Sequence, residues 1–212
     1  MLKRLHSESD AQTDQLVSFM RSDGGRSVTG SSEDLENGRG FWQNKLVALE
    51  PDKAMFCYGL CRATGARRIL EAGTSFGVST LYLAAAVRDN GGGMVIATEY
   101  ESEKARAARR HFAEAGLADF IALREGDLRE TLKTVEGPVD FMLMDIWTPL
   151  ARPALSLVAP HLRRGGIVIA DNTNTYRKAY ADYFAFLAAP ANGFTTLTLP
   201  FDGGLEMSVK MV

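Results

Sequence analysis

Short apolar segments alternate with segments of helical periodicity along most of this 212-residue chain, and this alternation is what most limits its fold. Five of the apolar segments have the length and composition of strands, and a helical segment follows each of them. These predicted strands are 68–71, 94–98, 120–124, 139–144 and 167–170. Because connections between parallel strands are right-handed, the pattern predicts an α/β fold with a mostly parallel sheet and helices on both faces.

The remaining elements complete the predicted order. Two final strands, 194–199 and 205–211, are separated by a short turn and are predicted to pair as an antiparallel hairpin, which makes the sheet seven-stranded. Helices are predicted at 10–21, 44–63, 79–87, 102–115, 128–135, 151–161 and 178–188. Pro51 is expected to divide the second of them, because proline interrupts helical hydrogen bonding.

The first forty residues differ in composition from the rest. Residues 22–40 are rich in glycine, serine and charge, which is typical of a loop or a disordered segment. Long ordered loops in compact domains are often functional, so a flexible tail and a lid over an active site both remain open. We therefore predict an N-terminal helix with a flexible, lid-like segment over 1–40, and a single domain over 41–212.

Composition narrows the class of protein. A net charge of −2 argues against a nucleic-acid partner, which usually requires a basic surface. No apolar run has the length of a signal peptide or a membrane span, so we expect a cytoplasmic protein without a membrane partner. Cys57 and Cys61 lie four residues apart in a helical pattern and are predicted to be buried core thiols.

A glycine-containing turn, Glu71-x-Gly73-x-x-x-Gly77, follows the first predicted strand. Gly73 permits a sharp turn, and Gly77 is expected to let a ligand approach the next helix. Ser75 stands where a dinucleotide-binding turn has its second glycine. A carboxylate at position 71 would repel a pyrophosphate but suits the cationic methionyl part of S-adenosylmethionine. The turn therefore favours S-adenosylmethionine over a nicotinamide dinucleotide.

Acidic residues also follow the second and third predicted strands. Glu99 is placed to accept both ribose hydroxyls of an adenosine ligand, although this alone would suit NAD equally. Asp127 is placed to bind the adenine amino group, with a simple helix cap as the alternative. The two positions together support an adenosine-containing cofactor.

These motifs resemble those of the S-adenosylmethionine-dependent O-methyltransferases of the catechol and caffeoyl-CoA type, over a stretch from about Asn44 to the C-terminus. The resemblance implies the Rossmann-like class I methyltransferase fold, a small aromatic acceptor, and an assembly that is often a homodimer. The cofactor-binding residues it implies are Glu71, Gly73, Thr74, Ser75, Gly77, Ser79, Glu99, Tyr100, Asp127, Leu128, Asp145 and Trp147.

A second acidic set, Asp145 with Asp171 and Asn172, follows two buried strands. Oxygen ligands of this kind suit a divalent metal such as Mg²⁺. In the resembling family the matching residues bind a metal that holds two vicinal substrate oxygens, which would make Asp145 catalytic through the metal. The alternative is that Asp145 only helps to hold the cofactor and that Asp171 and Asn172 cap a loop.

One position departs from the family pattern. The family has a lysine three residues after the first metal-binding aspartate, and here that residue is Thr148, which is not an efficient base at neutral pH. Either the metal alone ionises the substrate or another group takes the proton, with Tyr176, Lys178 and His6 as candidates.

We therefore expect methyl transfer from S-adenosylmethionine to a hydroxyl of a small aromatic or catechol-like acceptor, with help from a divalent metal. Three alternatives stay open at this stage. They are a metal-independent N- or O-methyltransferase, a cofactor-binding protein without catalysis, and a nicotinamide oxidoreductase.

Overall fold

The computed structural model describes residues 1–22 and 40–212, and in this part of the chain seven strands form one sheet in the order β3-β2-β1-β4-β5-β7-β6. The strands are β1 Arg68–Ala72, β2 Met94–Glu99, β3 Ile121–Glu125, β4 Val139–Met144, β5 Leu162–Asp171, β6 Phe194–Leu199 and β7 Leu205–Lys210. Strand β7 runs antiparallel to both of its neighbours, whereas β1 to β5 are parallel. The predicted seven-stranded, mostly parallel sheet with a terminal hairpin is confirmed.

Helices cover both faces of this sheet. They are α1 Leu2–Asp10, α2 Thr13–Arg21, α3 Pro51–Thr64, α4 Val78–Asp89, α5 Ser102–Glu114, α6 Leu128–Thr131, α7 Thr148–Val158 and α8 Ala181–Ala188. Ile69 and Leu70 are consecutive on β1 and fully buried, but they belong to two separate apolar clusters. Successive side chains of a strand point to opposite faces, so each face of the sheet has its own core.

Helix α3 begins later than predicted. The segment 45–50 is not helical, and the helix starts at Pro51, its first residue. Proline is favoured at the first helical position and moves the residue before it out of the helical region, as the ψ of 146° at Glu50 shows. The prediction of helix before Pro51 was therefore wrong, and the helix begins at the residue that was expected to divide the segment 44–63. Leu46 and Leu49 are nevertheless buried.

Residues 1–22 contain two helices where the sequence predicted one. Helix α1 was not predicted, yet Leu5 at its centre is fully buried in the core cluster that includes Leu81 and Leu83 of α4. The lid-like segment predicted for 22–40 lies, except for its first and last residues, outside the described part of the chain. The domain boundary between residues 40 and 41 stays a prediction.

Two further predictions concern the cysteines and the membrane-spanning segments. Cys57 and Cys61 are free and buried, as predicted. Among the described residues, no helix is both long enough and apolar enough to cross a membrane.

The central strands should carry most of the stability of this sheet. Leu143 on β4 is fully buried, and Leu143→Ala should lower the free energy of unfolding by about 2–5 kcal/mol, because it removes apolar contacts and leaves a cavity. Leu197 on the edge strand β6 is 64% exposed, and Leu197→Ala should change the free energy of unfolding by less than about 0.5 kcal/mol. Urea unfolding followed by circular dichroism measures both, and equal losses would contradict this account of the core.

Candidate active site

The carboxyl ends of the parallel strands form one rim. Strand β1 pairs with β2 on one side and with β4 on the other, so the strand order reverses at β1. Ligands of open α/β sheets bind in the crevice at such a reversal. Met144 is in register with Ala72 and with Ala170, which places the residues after β1, β4 and β5 side by side.

The buried carboxylate of Glu71 organises the turn after β1. Its side chain is fully buried and accepts hydrogen bonds from Thr74 Oγ1 at 2.8 Å and Ser79 Oγ at 2.7 Å, and also from Thr80 Oγ1. Burial raises the pKa of Glu71, the three hydroxyl donors act in the opposite direction, and the charge of Glu99 raises it further. The carboxylate therefore connects the end of β1 to the first turn of α4.

Thr80 is a member of this group that the sequence analysis missed. The signal was a pair of adjacent hydroxyl residues, Ser79 and Thr80, in the first turn of the helix that follows an acidic strand end.

Close packing explains why the turn has glycine at two positions. Gly73 has a φ of +94°, and a Cβ there would lie 2.0 Å from the carbonyl oxygen of Asp145. Gly77 has a φ of +85°, and a Cβ there would lie 2.5 Å from the Phe112 ring of α5. The sharp turn predicted at Gly73 is confirmed. Phe112 fills the space where a side chain at position 77 would lie, and the approach of a ligand at Gly77 stays a prediction.

Glu99 joins the loops after β1 and β2. Its Oε2 accepts a hydrogen bond from the backbone N–H of Ser75 at 2.7 Å, and its Oε1 accepts one from the backbone N–H of Glu101 at 2.8 Å. Ser75 has a φ of +49°, so this contact holds the turn in a left-handed conformation. Each carboxylate oxygen has a second lone pair, which leaves Glu99 able to accept a hydroxyl donor. Tyr100, predicted beside it, is exposed.

Asp127 caps helix α6. Its Oδ1 accepts a hydrogen bond from the backbone N–H of Arg129 at 2.8 Å, and the Arg129 guanidinium also binds the carboxylate. The hydrogen bond from the Arg129 side chain lowers the pKa of Asp127. The helix cap considered for this residue is therefore present, and its contact with adenine stays a prediction. Leu128, the next predicted residue, is buried.

Aromatic side chains lie beside the start of α7. The rings of Trp147 and Trp42 meet edge to face, with centroids 5.8 Å apart, and Trp42 also meets the ring of Phe41 at 5.1 Å. Phe41 stacks on Phe19 of α2. Of this group, the sequence analysis named only Trp147 as a site residue, because the others lie in or next to the N-terminal region.

A small cavity brings several predicted residues together. It lies between the segment 46–49 and the turn after β1, and Ser75, Ser79 and Asp145 contribute its polar lining. Its volume of about 10 Å³ has room for one water molecule. The apolar wall supplied by Leu46 and Leu49 was not predicted, since the sequence suggested a helix there.

The rim carries an excess of negative charge. Burial raises the pKa of Asp145 well above its ordinary value, and the neighbouring carboxylates of Asp171, Glu71 and Glu50 raise it further. A cationic ligand in the cavity would offset this repulsion. S-adenosylmethionine carries a sulfonium and an ammonium group, so the chemistry of these side chains fits the expected cofactor.

The predicted metal ligands do not fit a divalent cation as they are arranged. Asp171 Oδ1 accepts a hydrogen bond from Lys53 Nζ at 2.7 Å, and Oδ2 accepts one from Asn172 Nδ2 at 2.9 Å. Lys53 is 1% exposed and also lies 2.9 Å from Glu50 Oε2. A metal ion would have to displace this ammonium group. In the described part of the chain, no three or more His, Cys, Asp or Glu residues form a group able to hold a metal.

Lys53 was missed by the sequence analysis. Burial opposes its charge, but hydrogen bonds and charges from Asp171 and Glu50 together raise its pKa. A signal was available, because Lys53 is four residues before Cys57 and eight before Cys61, on the face of α3 that was predicted to be buried.

The three candidate bases, and Thr148 in the position of the family lysine, lie in different places. Thr148 is the first residue of α7, and His6 Nε2 lies 3.2 Å from the hydroxyl oxygen of Tyr82 on α4. Tyr176 packs against the apolar cluster on one face of the sheet, and Lys178 is exposed. None of these four is among the residues that line the small cavity.

Comparisons with known proteins support this fold. Residues 70–173 match the family described as a methyltransferase domain. A catechol O-methyltransferase of Mycobacterium tuberculosis is 32% identical over 127 residues, which cover 59% of this chain and 57% of the relative. One from Niastella koreensis is 29% identical over 142 residues, covering 60% of this chain and 63% of the relative. The matched region thus spans about three fifths of the length of these relatives.

Solved structures share the architecture over nearly the whole chain. The O-methyltransferase from Bacillus cereus in complex with SAH superposes with a TM-score of 0.72 at 21% identity, covering 99% of this chain and 100% of the other. The O-methyltransferase TomG from Streptomyces achromogenes, in complex with SAM, superposes with a TM-score of 0.71 at 20% identity. The superposition covers 97% of this chain and 99% of the other.

The sheet order, the turn after β1 and the acidic rim define a class I methyltransferase fold. The match of residues 70–173 to the methyltransferase-domain family, and the matches to relatives named O-methyltransferases, agree with the resemblance stated from the sequence.

The crowding of carboxylates should be visible in the pH dependence of stability. Since the pKa of Asp145 is raised in the folded state, the protonated carboxyl favours folding, and stability is lost as the pH rises above the ordinary value of 3.8 and the group ionises. Without cofactor, we expect Asp145→Asn to be more stable than the wild type at about pH 7, with the difference vanishing at about pH 3. Urea unfolding at several pH values measures this.

Asp119→Asn is the matched control. Asp119 is exposed and precedes the amino end of β3, whereas the rim lies at the carboxyl ends of the strands. Asp119→Asn should therefore be no more stable than the wild type at neutral pH. An Asp145→Asn variant that is less stable than the wild type at neutral pH would contradict the proposed charge crowding.

Proposed function

We propose that this chain transfers a methyl group from S-adenosylmethionine to a hydroxyl oxygen of a small aromatic acceptor. The observation that carries the proposal is the gathering of three carboxylates at the ends of β1, β2 and β4. Asp145 lines the cavity, and Glu71 and Glu99 accept hydrogen bonds from two of its other lining residues, Ser79 and Ser75. The relatives named catechol O-methyltransferase support oxygen as the accepting atom.

The negative rim supplies the binding energy for a cationic cofactor. S-adenosylmethionine, when bound, supplies an electrophilic methyl group on a positively charged sulfur. Asp145 and Ser79 lie where they can contact its methionyl part, and Glu99 has free lone pairs for the ribose hydroxyls. Desolvated carboxylates interact strongly with a cation, since the local dielectric is low. Binding should therefore relieve the repulsion that raises the pKa of Asp145.

The segment 46–49 must move when the cofactor binds, because the cavity it closes holds no more than one water molecule. This segment has no regular secondary structure and precedes Pro51, so its movement would break its hydrogen bonds to Gln12 and Ser9 but none within α3. Its return over the bound cofactor would exclude water from the reacting atoms.

The aromatic group of Phe41, Trp42 and Trp147 provides ring faces and edges near the start of α7. Aromatic side chains pair with aromatic ligands through offset or edge-to-face contacts. These residues would hold the acceptor so that its oxygen lies in line with the methyl group, and such alignment accounts for much of the rate enhancement in displacement reactions.

The proposed reaction uses no divalent metal. The oxygens of Asp171 already accept hydrogen bonds from Lys53 and Asn172, and no step is assigned to a metal at that position. This favours the metal-independent alternative considered from the sequence.

Cofactor binding tests the site directly. Isothermal titration with S-adenosylhomocysteine should show one site per chain, and NAD should not bind. Glu99→Ala should weaken binding by about tenfold to hundredfold, the effect of losing hydrogen bonds to a charged group. Glu103→Ala is the control, because Glu103 is exposed on α5, and it should leave the affinity unchanged. Equal affinities for the wild type and Glu99→Ala would contradict the assignment of Glu99.

Transfer itself is tested with cofactor carrying a labelled methyl group and a panel of phenols, catechols and aromatic amines. We expect labelled methyl ethers, identified by mass spectrometry. Cofactor binding without transfer to any acceptor would identify a binding protein instead, and labelled amines would identify nitrogen as the accepting atom.

A further inference from the structure

We propose that the ammonium group of Lys53 occupies the cation position of the rim, fixes Asp171 and thereby excludes a divalent metal from this site. The consequence for catalysis rests on the proposed methyl transfer, whereas the exclusion of metal is measured on the protein alone.

The first support is the burial and pairing of the three charges. Lys53 is 1% exposed and Asp171 is 4% exposed, and Nζ of the lysine lies 2.7 Å from Asp171 Oδ1 and 2.9 Å from Glu50 Oε2. A buried ion pair with good geometry is costly to break, because removing either partner leaves an uncompensated charge. A metal ion arriving at Asp171 would have to displace the Lys53 ammonium group from its contact with Oδ1.

The second support is that Asp171 is held from several directions. Its Oδ2 accepts a hydrogen bond from Asn172 Nδ2 at 2.9 Å, and its backbone carbonyl accepts one from the hydroxyl of Tyr180 at 3.0 Å. The carboxylate therefore has a donor on each oxygen, and its backbone is anchored to α8. It cannot rotate toward the cavity without breaking these bonds.

The third support is the orientation of Asn172. Its φ is +57°, and a Cβ on Gly203 in the hairpin turn would lie 2.5 Å from its Oδ1. The amide oxygen therefore lies against the hairpin between β6 and β7, while the amide nitrogen donates to Asp171. An asparagine in this orientation offers no oxygen to a metal beside Asp171.

Lys53 is a positioning residue. It neutralises Asp171 and leaves Asp145 as the carboxylate that lines the cavity. A metal that coordinates two substrate oxygens would favour acceptors with neighbouring hydroxyls. A site in which Lys53 occupies the cation position has no such requirement. Acceptors with a single hydroxyl should therefore be methylated as well as catechols.

The test uses Mn²⁺ as the probe, since free Mn²⁺ has a strong electron paramagnetic resonance signal that falls when the ion binds. The wild type, with equimolar Mn²⁺, should leave the signal unchanged. Lys53→Met should bind one ion per chain and so reduce the signal, because the oxygens of Asp171 and Glu50 that contact Lys53 Nζ then lack a cation. Mn²⁺ should also raise the Tm of Lys53→Met, but not that of the wild type.

Lys133→Met is the matched control, because Lys133 is exposed and lies away from the rim, and it should behave like the wild type. Lys53→Arg keeps the cation and should also bind no Mn²⁺. If Lys53→Met does not fold, Lys53→Gln serves for the same measurement. If neither variant folds, Mn²⁺ binding by the wild type and its methyl transfer in EDTA decide whether the proposal holds.

Two results would overturn the proposal. One is a wild type that binds one Mn²⁺ per chain or loses methyl transfer in EDTA, and the other is a folded Lys53→Met that binds no Mn²⁺. Failure of the proposed methyl transfer would look different, because no acceptor would be methylated while the Mn²⁺ results stood unchanged.

Discussion

The buried carboxylate of Glu71 is the constraint on which the rest of the site depends. A fully buried carboxylate is stable only when its oxygens find donors, and here the donors are hydroxyl groups from the turn after β1 and the first turn of α4. This requirement fixes the path of the turn. Gly73 can then lie against the backbone of Asp145, and Ser75 can donate to Glu99, so the ends of β1, β2 and β4 are held together.

The same arrangement concentrates negative charge at one rim of the sheet. Glu71, Glu99 and Asp145 face a common region, and Asp171 adds a fourth carboxylate that Lys53 neutralises. Such a cluster is unfavourable in the protein alone and favourable once a cation is bound. Strain of this kind is typical of functional sites, where stability is lower than it would be with neutral side chains.

Much of the fold and part of the site followed from local sequence. The apolar runs predicted the strands, and β4 was predicted at its observed limits, 139–144, because a strand buried on both faces is apolar throughout. Residues at strand ends, such as Glu71, Glu99 and Asp145, were placed on one rim by fold class alone. The boundaries that were missed depend on single residues, as at Pro51, or on packing partners distant in sequence, as for α1 and Leu5.

The sequence by itself determined the sheet, its hairpin and the acidic turn, since each follows from periodicity and from residues close together in the chain. Tertiary structure alone decided what those side chains contact. Lys53 meets Asp171 across 118 positions of sequence, and Gly77 meets Phe112 of another helix. A predicted metal ligand thus became half of a buried ion pair, because no local pattern records which charge a folded chain brings to it.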